Sequence, residues 1–403
     1  MERVVQEDLS VDKRIIPIVS PSEKYFKTNG WEWFLGGGEW TYLGDHLIGL
    51  SRMEAMEYIR AADDLYRIFE EGVQYVIDNN LWMDLGIHPN LVEQIRFSWT
   101  HRERHQHLYG RFDFAGGING QPVKLLEFNA DTPTTIPETA FIQREQMIHT
   151  KLGNNQFNTL FDDLVATFER LGKANPGKSR TVLFTSMGHK EDEINARTMM
   201  RAAEAANFEV DYEPLEDVIF SADDGIFVEE DNGEATRYDF WFKLVPWEYI
   251  SHEEPELMDI LNKLVLNGKV TILNPAYSLV MQSKALMKYL YDLHPNHPHL
   301  LKTSFEAPSR NARTKYVEKV LFGREGENVT IYDENNFSMD KRDGNYGKYN
   351  KIYQDYAELP NVNGITYYQP MVYWTGNPSA ISFRKRDSLI MDEDSEFIGH
   401  LLT

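Results

Sequence analysis

Residues 111–130 read RFDFAGGINGQPVKLLEFNA, and this stretch decides the fold. RFDF and VKLLEFNA are short, strand-like runs of aromatic and aliphatic residues. AGGINGQP, between them, is rich in glycine and carries an Asn-Gly turn signal. The segment therefore predicts a hairpin. Alternate residues on a strand share a face, so Arg111 lies beside Asp113 on one arm and Glu127 beside Asn129 on the other. An antiparallel return places the two pairs side by side. Two carboxylates and an amide oxygen make a hard-oxygen set for Mg²⁺, which completes an octahedron with waters and phosphate oxygens. The same residues read equally as a solvated hairpin face with an Arg–Asp pair.

Working outward, residues 51–79 predict a long amphipathic helix with Met53, Met56, Ile59, Leu65, Ile68 and Phe69 as its apolar stripe. Residues 90–107 and 137–171 also carry helical spacing. From 180 to 275 strands and helices alternate: TVLFTS, EDEINARTMMRAAEAANF, EVDYEPL, YDFWFKLV, PELMDILNKLVLNG and VTILNP. That order implies βαβ units and a parallel sheet. Beyond 276, SLVMQSKALMKYLYDL reads as a helix, YVEKVLFGREGENVTIYD as a hairpin, and ITYYQPMVYWTGNPSAISFRKRDSLIM as further antiparallel sheet. An α/β domain thus sits inside a mixed α+β frame.

Composition narrows the function. The 403 residues carry 41 Lys and Arg against 63 Asp and Glu, a formal charge of −22. Such a balance argues against a dedicated nucleic-acid binder and is compatible with a cationic partner. No apolar run is long enough for a membrane span, and MERVVQEDLSVDKR at the N-terminus has no apolar signal core, so a cytoplasmic protein is expected. The absence of cysteine excludes disulfides, thiolate zinc sites and cysteine nucleophiles in this chain.

Three features are decoys. GKANPGKS at 172–179 fits the P-loop pattern, but a helix precedes it and a strand follows, the reverse of the order needed to place a helix N-terminus on phosphate. His101, His105 and His107, and separately His294, His297 and His299, form clusters that read as solvated surface rather than metal ligands. GREGEN at 323–328 is different: it is a plain hairpin loop or a glycine-bearing loop that bends over phosphates. Lys319 on the strand entering it and Lys284 on the preceding helix supply cations. With the carboxylate–amide cluster, these are the parts of phosphoryl transfer.

RFDF…KLLEFNADTPT, EDEINARTMM, FWFKLVPWEY, SKALM, FGREGENV and YYQPM…SFRKRDSLI occur here in the order of the glutathionylspermidine synthetase family, and the chain resembles the synthetase half of those enzymes over about 25–400. The resemblance implies a circularly rearranged ATP-grasp fold. In it, 1–175 and 276–403 form the frame, with the metal-binding hairpin in the first part and the ATP-binding elements in the second. An inserted parallel-sheet, pre-ATP-grasp-like domain occupies 176–275.

By the same resemblance the metal ligands are Asp113, Glu127 and Asn129, and the arginine on the transferring phosphoryl group is Arg111. Lys284, Lys319, Gln369 and Arg384 contact ATP. Thr132 and Thr134 stand where the family has serines on the glutathione side, and Glu191 and Asp192 receive the polyamine. A further carboxylate falls on Glu396. The Lys-Pro pair of the family's ATP strand is Lys319-Val320 here, and the cysteine amidase of bifunctional members is absent from this chain.

The expected activity is an ADP-forming ligase that joins a peptide carboxylate to a polyamine through an acyl phosphate, with ATP and Mg²⁺. Its alternatives are the same chemistry on another peptide or diamine, or nucleotide binding without turnover. Expected partners are the two small substrates, with no nucleic acid and no membrane; a homodimer stays open. Glu191 and Asp192 also suit a helix start, Thr132 and Thr134 a turn or cap, and Arg384 a basic surface run.

Overall fold

The computed structural model describes residues 11–36, 42–153, 155–229, 233–309, 311–362 and 364–403. Most of the N-terminal segment read for a signal core, residues 1–10, lies outside them. No helix among the described residues is long and apolar enough to cross a membrane.

The structure is a mixed α/β assembly of parallel and antiparallel sheets. The central sheet has seven strands, in the order Ile15–Pro17, Leu43–Leu50, Glu396–Leu402, Pro378–Arg386, Tyr367–Trp374, Gly110–Ala115 and Lys124–Asn129. Glu396–Leu402 runs parallel to Leu43–Leu50; every other pairing in this sheet is antiparallel. Segments from both ends of the chain thus build one sheet. Thr271–Leu273, Phe240–Leu244, Thr181–Ser186 and Glu209–Tyr212 form the all-parallel sheet that the 180–275 alternation predicts. Thr303–Ser304, Lys351–Asp355, Tyr316–Val320, Val329–Tyr332 and Ser338–Arg342 form a third, antiparallel sheet. A small antiparallel sheet of Ile219–Ser221, Gly225–Glu229 and Ala235–Tyr238 interrupts the alternation. It takes the first residue of YDFWFKLV, Tyr238, leaving Phe240–Leu244 for the parallel sheet.

The helix Arg52–Asn79 packs against the central sheet. Ser51 opens it with a capping box to Glu54, and Asn80 closes it in the left-handed conformation. Its buried face is Ala55, Tyr58, Ala62, Leu65, Phe69, Val73 and Val76, at helical spacing. Leu65, Ile68 and Phe69 hold the expected place. Met53 and Met56 are instead exposed, at 53% and 43%, because they share the face of Arg60, Asp63 and Arg67, nearly opposite the core.

Elsewhere the helical readings break into shorter elements. The 90–107 region is helical only to Thr100. Residues 137–171 divide into the π-helix Glu138–Ile142 and the helices Gln143–Thr150 and Leu160–Ala174. The single helix read after 276 is two, Ser278–Gln282 and Leu286–Leu293, with Lys284 in the gap. The P-loop pattern follows Leu160–Ala174 and precedes Thr181–Ser186, so it is a helix-to-strand connection.

The solvated reading of the first histidine cluster holds for His101, which is exposed, and fails for His105 and His107, which are buried. His107 faces the Tyr66 hydroxyl at 3.2 Å and the Ala130 carbonyl at 2.6 Å and stacks on Trp374, a packing role. His294, His297 and His299 are partly buried in a loop. No group of three or more His, Asp or Glu placed to hold a metal occurs among the described residues.

Candidate active site

The hairpin has the predicted register. Arg111 faces Asn129 and Asp113 faces Glu127, on Gly110–Ala115 and Lys124–Asn129. The neighbouring strand Tyr367–Trp374 brings Gln369, whose amide nitrogen donates 3.0 Å to Asp113, and Gln369 pairs in register with Arg384 on the next strand. Four adjacent strands therefore line up Glu127, Asp113, Gln369 and Arg384 across the sheet.

The face they form is no solvated surface. Asp113 is 1% exposed and Arg111 8%. Arg111 grips Asp113 with two parallel bonds, Nε–Oδ1 at 2.8 Å and Nη2–Oδ2 at 3.0 Å, and its Nη1 donates 3.1 Å to the Thr134 carbonyl. Burial raises the Asp113 carboxyl despite Arg111 beside it. Glu127 goes the other way. Burial would raise it, but Lys284, then Lys319, outweigh that and hold it at about 2. Lys284 Nζ lies 3.0 Å from Glu127 and donates 2.8 Å to the Gly323 carbonyl. Burial lowers Lys319 to about 8, although Glu127 opposes it; its Nζ donates to Leu126 and Gln354 at 3.1 and 2.8 Å.

These residues fit a hard divalent cation by donor chemistry. Asp113 and Glu127 offer carboxylate oxygens, and Asn129 sits between them. Its amide nitrogen faces both, at 3.2 and 3.3 Å, so rotating the amide turns its oxygen to the same point. Each carboxylate is meanwhile balanced by a cation, Arg111 or Lys284.

Twelve of the thirteen expected site residues, all but Glu396, line one cavity of about 540 Å³, a size usual for small-ligand sites. Arg111, Asp113, Glu127 and Asn129 form its floor, with Thr132 and Thr134 in the segment that leaves the hairpin. Glu191 and Asp192 occupy the first turn of Lys190–Ala205. The helix-start reading is thus correct in position, yet both also face the cavity. Burial raises Glu191 to about 7, Arg384 opposing and Asp192 reinforcing; burial likewise raises Asp192. Arg384 is no surface charge, since it lines the cavity with a buried Nε. Glu396 lies outside the cavity lining and pairs with Lys385 at 3.0 Å. Glu393 and Asp394, just before it, line the cavity instead.

The GREGEN loop lines the cavity and contributes a side chain to it. Arg324 reaches across to Glu248 at 2.7 Å and to the Thr132 hydroxyl at 3.1 Å. Gly326 has φ +69°, and a Cβ there would stand 2.3 Å from the Met391 carbonyl, so only glycine lets the loop lie that close. Beneath, Lys243 and Asp131 form a pair with no solvent exposure, 2.8 Å apart. Asp131 also accepts from the Trp247 amide at 2.9 Å, and Lys243 donates to the Val245 carbonyl at 3.0 Å. These contacts join EFNAD, PWE and GREGEN, three motifs far apart in sequence. Sequence reasoning assigned no role to Arg324, Glu248, Asp131 or Lys243; their presence inside the quoted motifs was the available signal.

A solved glutathione synthetase-like effector from Globodera pallida superposes with a TM-score of 0.52 over 89% of each chain at 10% identity, which places the fold among glutathione synthetase-like proteins. The protein-family model described as "Glutathionylspermidine synthase preATP-grasp" matches residues 14–403, and the chain belongs to that family. A Haemophilus influenzae protein, named only provisionally as an acid–amine ligase, is 31% identical over 319 residues, 76% of this chain and 77% of that one. The bifunctional glutathionylspermidine synthetase/amidase of Escherichia coli is 25% identical over 373 residues, 87% of this chain; the match spans 58% of the bifunctional protein's length.

Proposed function

We propose that the protein is an ATP-dependent, ADP-forming ligase that joins a peptide carboxylate, glutathione's by family, to a polyamine nitrogen through an acyl phosphate. The observation that carries this reading is the convergence of the metal-type carboxylates, the two lysines, the hydroxyl pair and the acidic pair on one cavity. We read the frame as a rearranged ATP-grasp fold, built from 1–175 and 276–403 around an inserted 176–275 domain.

In this reading Lys284 and Lys319 neutralise nucleotide phosphates, with Gln369 and Arg384 as further nucleotide contacts. Asp113, Glu127 and Asn129 would hold Mg²⁺, which when bound neutralises phosphate charge. Arg111 stabilises the equatorial oxygens of the phosphoryl group as the peptide carboxylate attacks it. Thr132 and Thr134 place hydroxyls beside the peptide. Arg324, anchored to Glu248, brings the GREGEN loop over the acyl phosphate and keeps water from it. Glu191 and Asp192 hold the ammonium groups of the amine, and a carboxylate takes the proton from the nitrogen that attacks. Phosphate then leaves and the amide forms.

The test is ADP release with ATP, Mg²⁺, glutathione and spermidine, each omitted in turn. Release that needs both acid and amine is expected. Release with a different acid or diamine only would move the substrates but keep the chemistry. ATP binding without release under any acceptor panel would overturn the ligase reading.

A further inference from the structure

The cavity wall beside Glu191 is backed by a carboxyl that the mechanism above does not use. Glu138 opens the π-helical turn Glu138–Ile142 and is fully buried; such turns recur at functional sites. Its Oε1 accepts from the Tyr42 hydroxyl at 2.6 Å. Its Oε2 has no hydrogen-bond partner among the described residues. A buried carboxylate oxygen left in that state is costly, so a purely structural origin is a poor account of it.

The surroundings point toward the cavity. Tyr42 lines it, and so do Glu191 and Arg384. Four elements bring titratable or charged groups within electrostatic reach of Glu138: Tyr42, which bonds it, from the segment before Leu43–Leu50, Glu191 from Lys190–Ala205, Arg384 from Pro378–Arg386 and Tyr373 from Tyr367–Trp374. Two carboxyls so placed do not both ionise cheaply unless a cation joins them. Consistent with this, burial first and Glu191 second raise Glu138 to about 8.

We propose that Glu138 is a positioning residue for the amine substrate: a buried charge reserve that, with Glu191, gives up a proton to solvent when a polycation enters the cavity and so strengthens the hold on its ammonium groups. The inference rests on the assignment of Glu191 and Asp192 to the amine and deepens it. The balance is simple: one carboxyl O–H breaks, its proton passes to the buffer, and the new carboxylate charge is offset by an ammonium. A monoamine brings a single positive charge and draws less from the reserve than a di- or polyamine.

The test is calorimetric titration of spermidine into the full chain at pH 7.5, in two buffers of different ionisation enthalpy, with butylamine as the monoamine. About one proton released per spermidine is expected, and clearly less for butylamine. Glu138→Gln keeps the shape and the acceptor for Tyr42, so a structural role predicts no change. The inference predicts that proton release falls at least about twofold and that the amine KM rises about tenfold with the ATP KM unchanged. Tyr42→Phe removes the donor that favours the ionised carboxyl, so release persists and its pH profile moves up; this variant reads the same property if Glu138→Gln fails to fold. Spermidine binding without proton release, or with equal release in Glu138→Gln, overturns the inference while leaving the ligase reading standing. Failure of spermidine and every other di- or polyamine to bind overturns both.

Discussion

Two lysine–carboxylate pairs have their carboxylates four residues apart, Glu127 on the second arm of the hairpin and Asp131 just beyond it, and their surroundings differ. Asp131 and Lys243 are 2.8 Å apart with no exposure on either side. Each has further partners: the Trp247 amide and the Ser278 hydroxyl for Asp131, the Val245 carbonyl for Lys243. Glu127 and Lys284 are 3.0 Å apart, but Glu127 keeps 27% of its side chain exposed and both line the cavity. The first pair is satisfied and sealed, so it clamps the parallel-sheet segment to the hairpin. The second is open on one side, so its remaining hydrogen-bonding capacity faces the cavity. The lesson is that a charge pair becomes chemistry when its remaining hydrogen-bonding capacity faces a cavity rather than backbone.

The largest effect that sharpens this comparison is expected from Asp131→Ala. It strands a buried ammonium, and loss of about 3–5 kcal/mol in denaturant unfolding is predicted; a stable, active variant would erase the distinction between the pairs. Glu127→Gln should leave the unfolding curve little changed and cut ADP release by about 10²–10³-fold; a fold defect instead would make the open pair structural too. Arg111→Ala should lower kcat far more than ATP affinity, whereas a pure affinity loss would assign Arg111 to binding.

Acid titration probes the sealed side of the molecule. Burial lowers His105 and His107 to about 4 and His400 to about 3. Their folded-state values lie below the unfolded value of about 6.5. Their contribution is therefore complete above that pH and lost as pH falls from about 6.5 toward 4. Stability measured across that window should decline on acidification, and a flat profile would contradict the burial. The smallest effect is expected on the outer face of Arg52–Asn79. Met53→Gln should change stability by less than about 0.5 kcal/mol, against about 2–5 kcal/mol for Leu65→Ala.

Much of this was legible along the chain because the signals are local. The hairpin follows from alternation and an Asn-Gly turn, and its register then sets Arg111 opposite Asn129 and Asp113 opposite Glu127. The parallel sheet follows from the strand–helix alternation. What was misread depended on neighbours remote in sequence. Met53 and Met56 have the right chemistry for a core, but the sheet meets the helix on the face of Tyr58, Leu65 and Phe69. His107 lies in a polar run, yet Tyr66, Trp374 and Ala130 enclose it.

The amino-acid sequence by itself determined the hairpin at 111–130, the strand–helix alternation after 180 and the family, since short-range periodicity and motif spacing carry that information. Only the tertiary structure decided which charges are sealed and which are open. It broke one predicted helix at Lys284 and tied Arg324 to Glu248 and Thr132. It also left Glu396 outside the cavity, paired with Lys385, and set Glu138 behind the wall that carries Glu191. Desolvation and pairing depend on what packs above a side chain, and that neighbour is brought in by folding from a distant part of the chain.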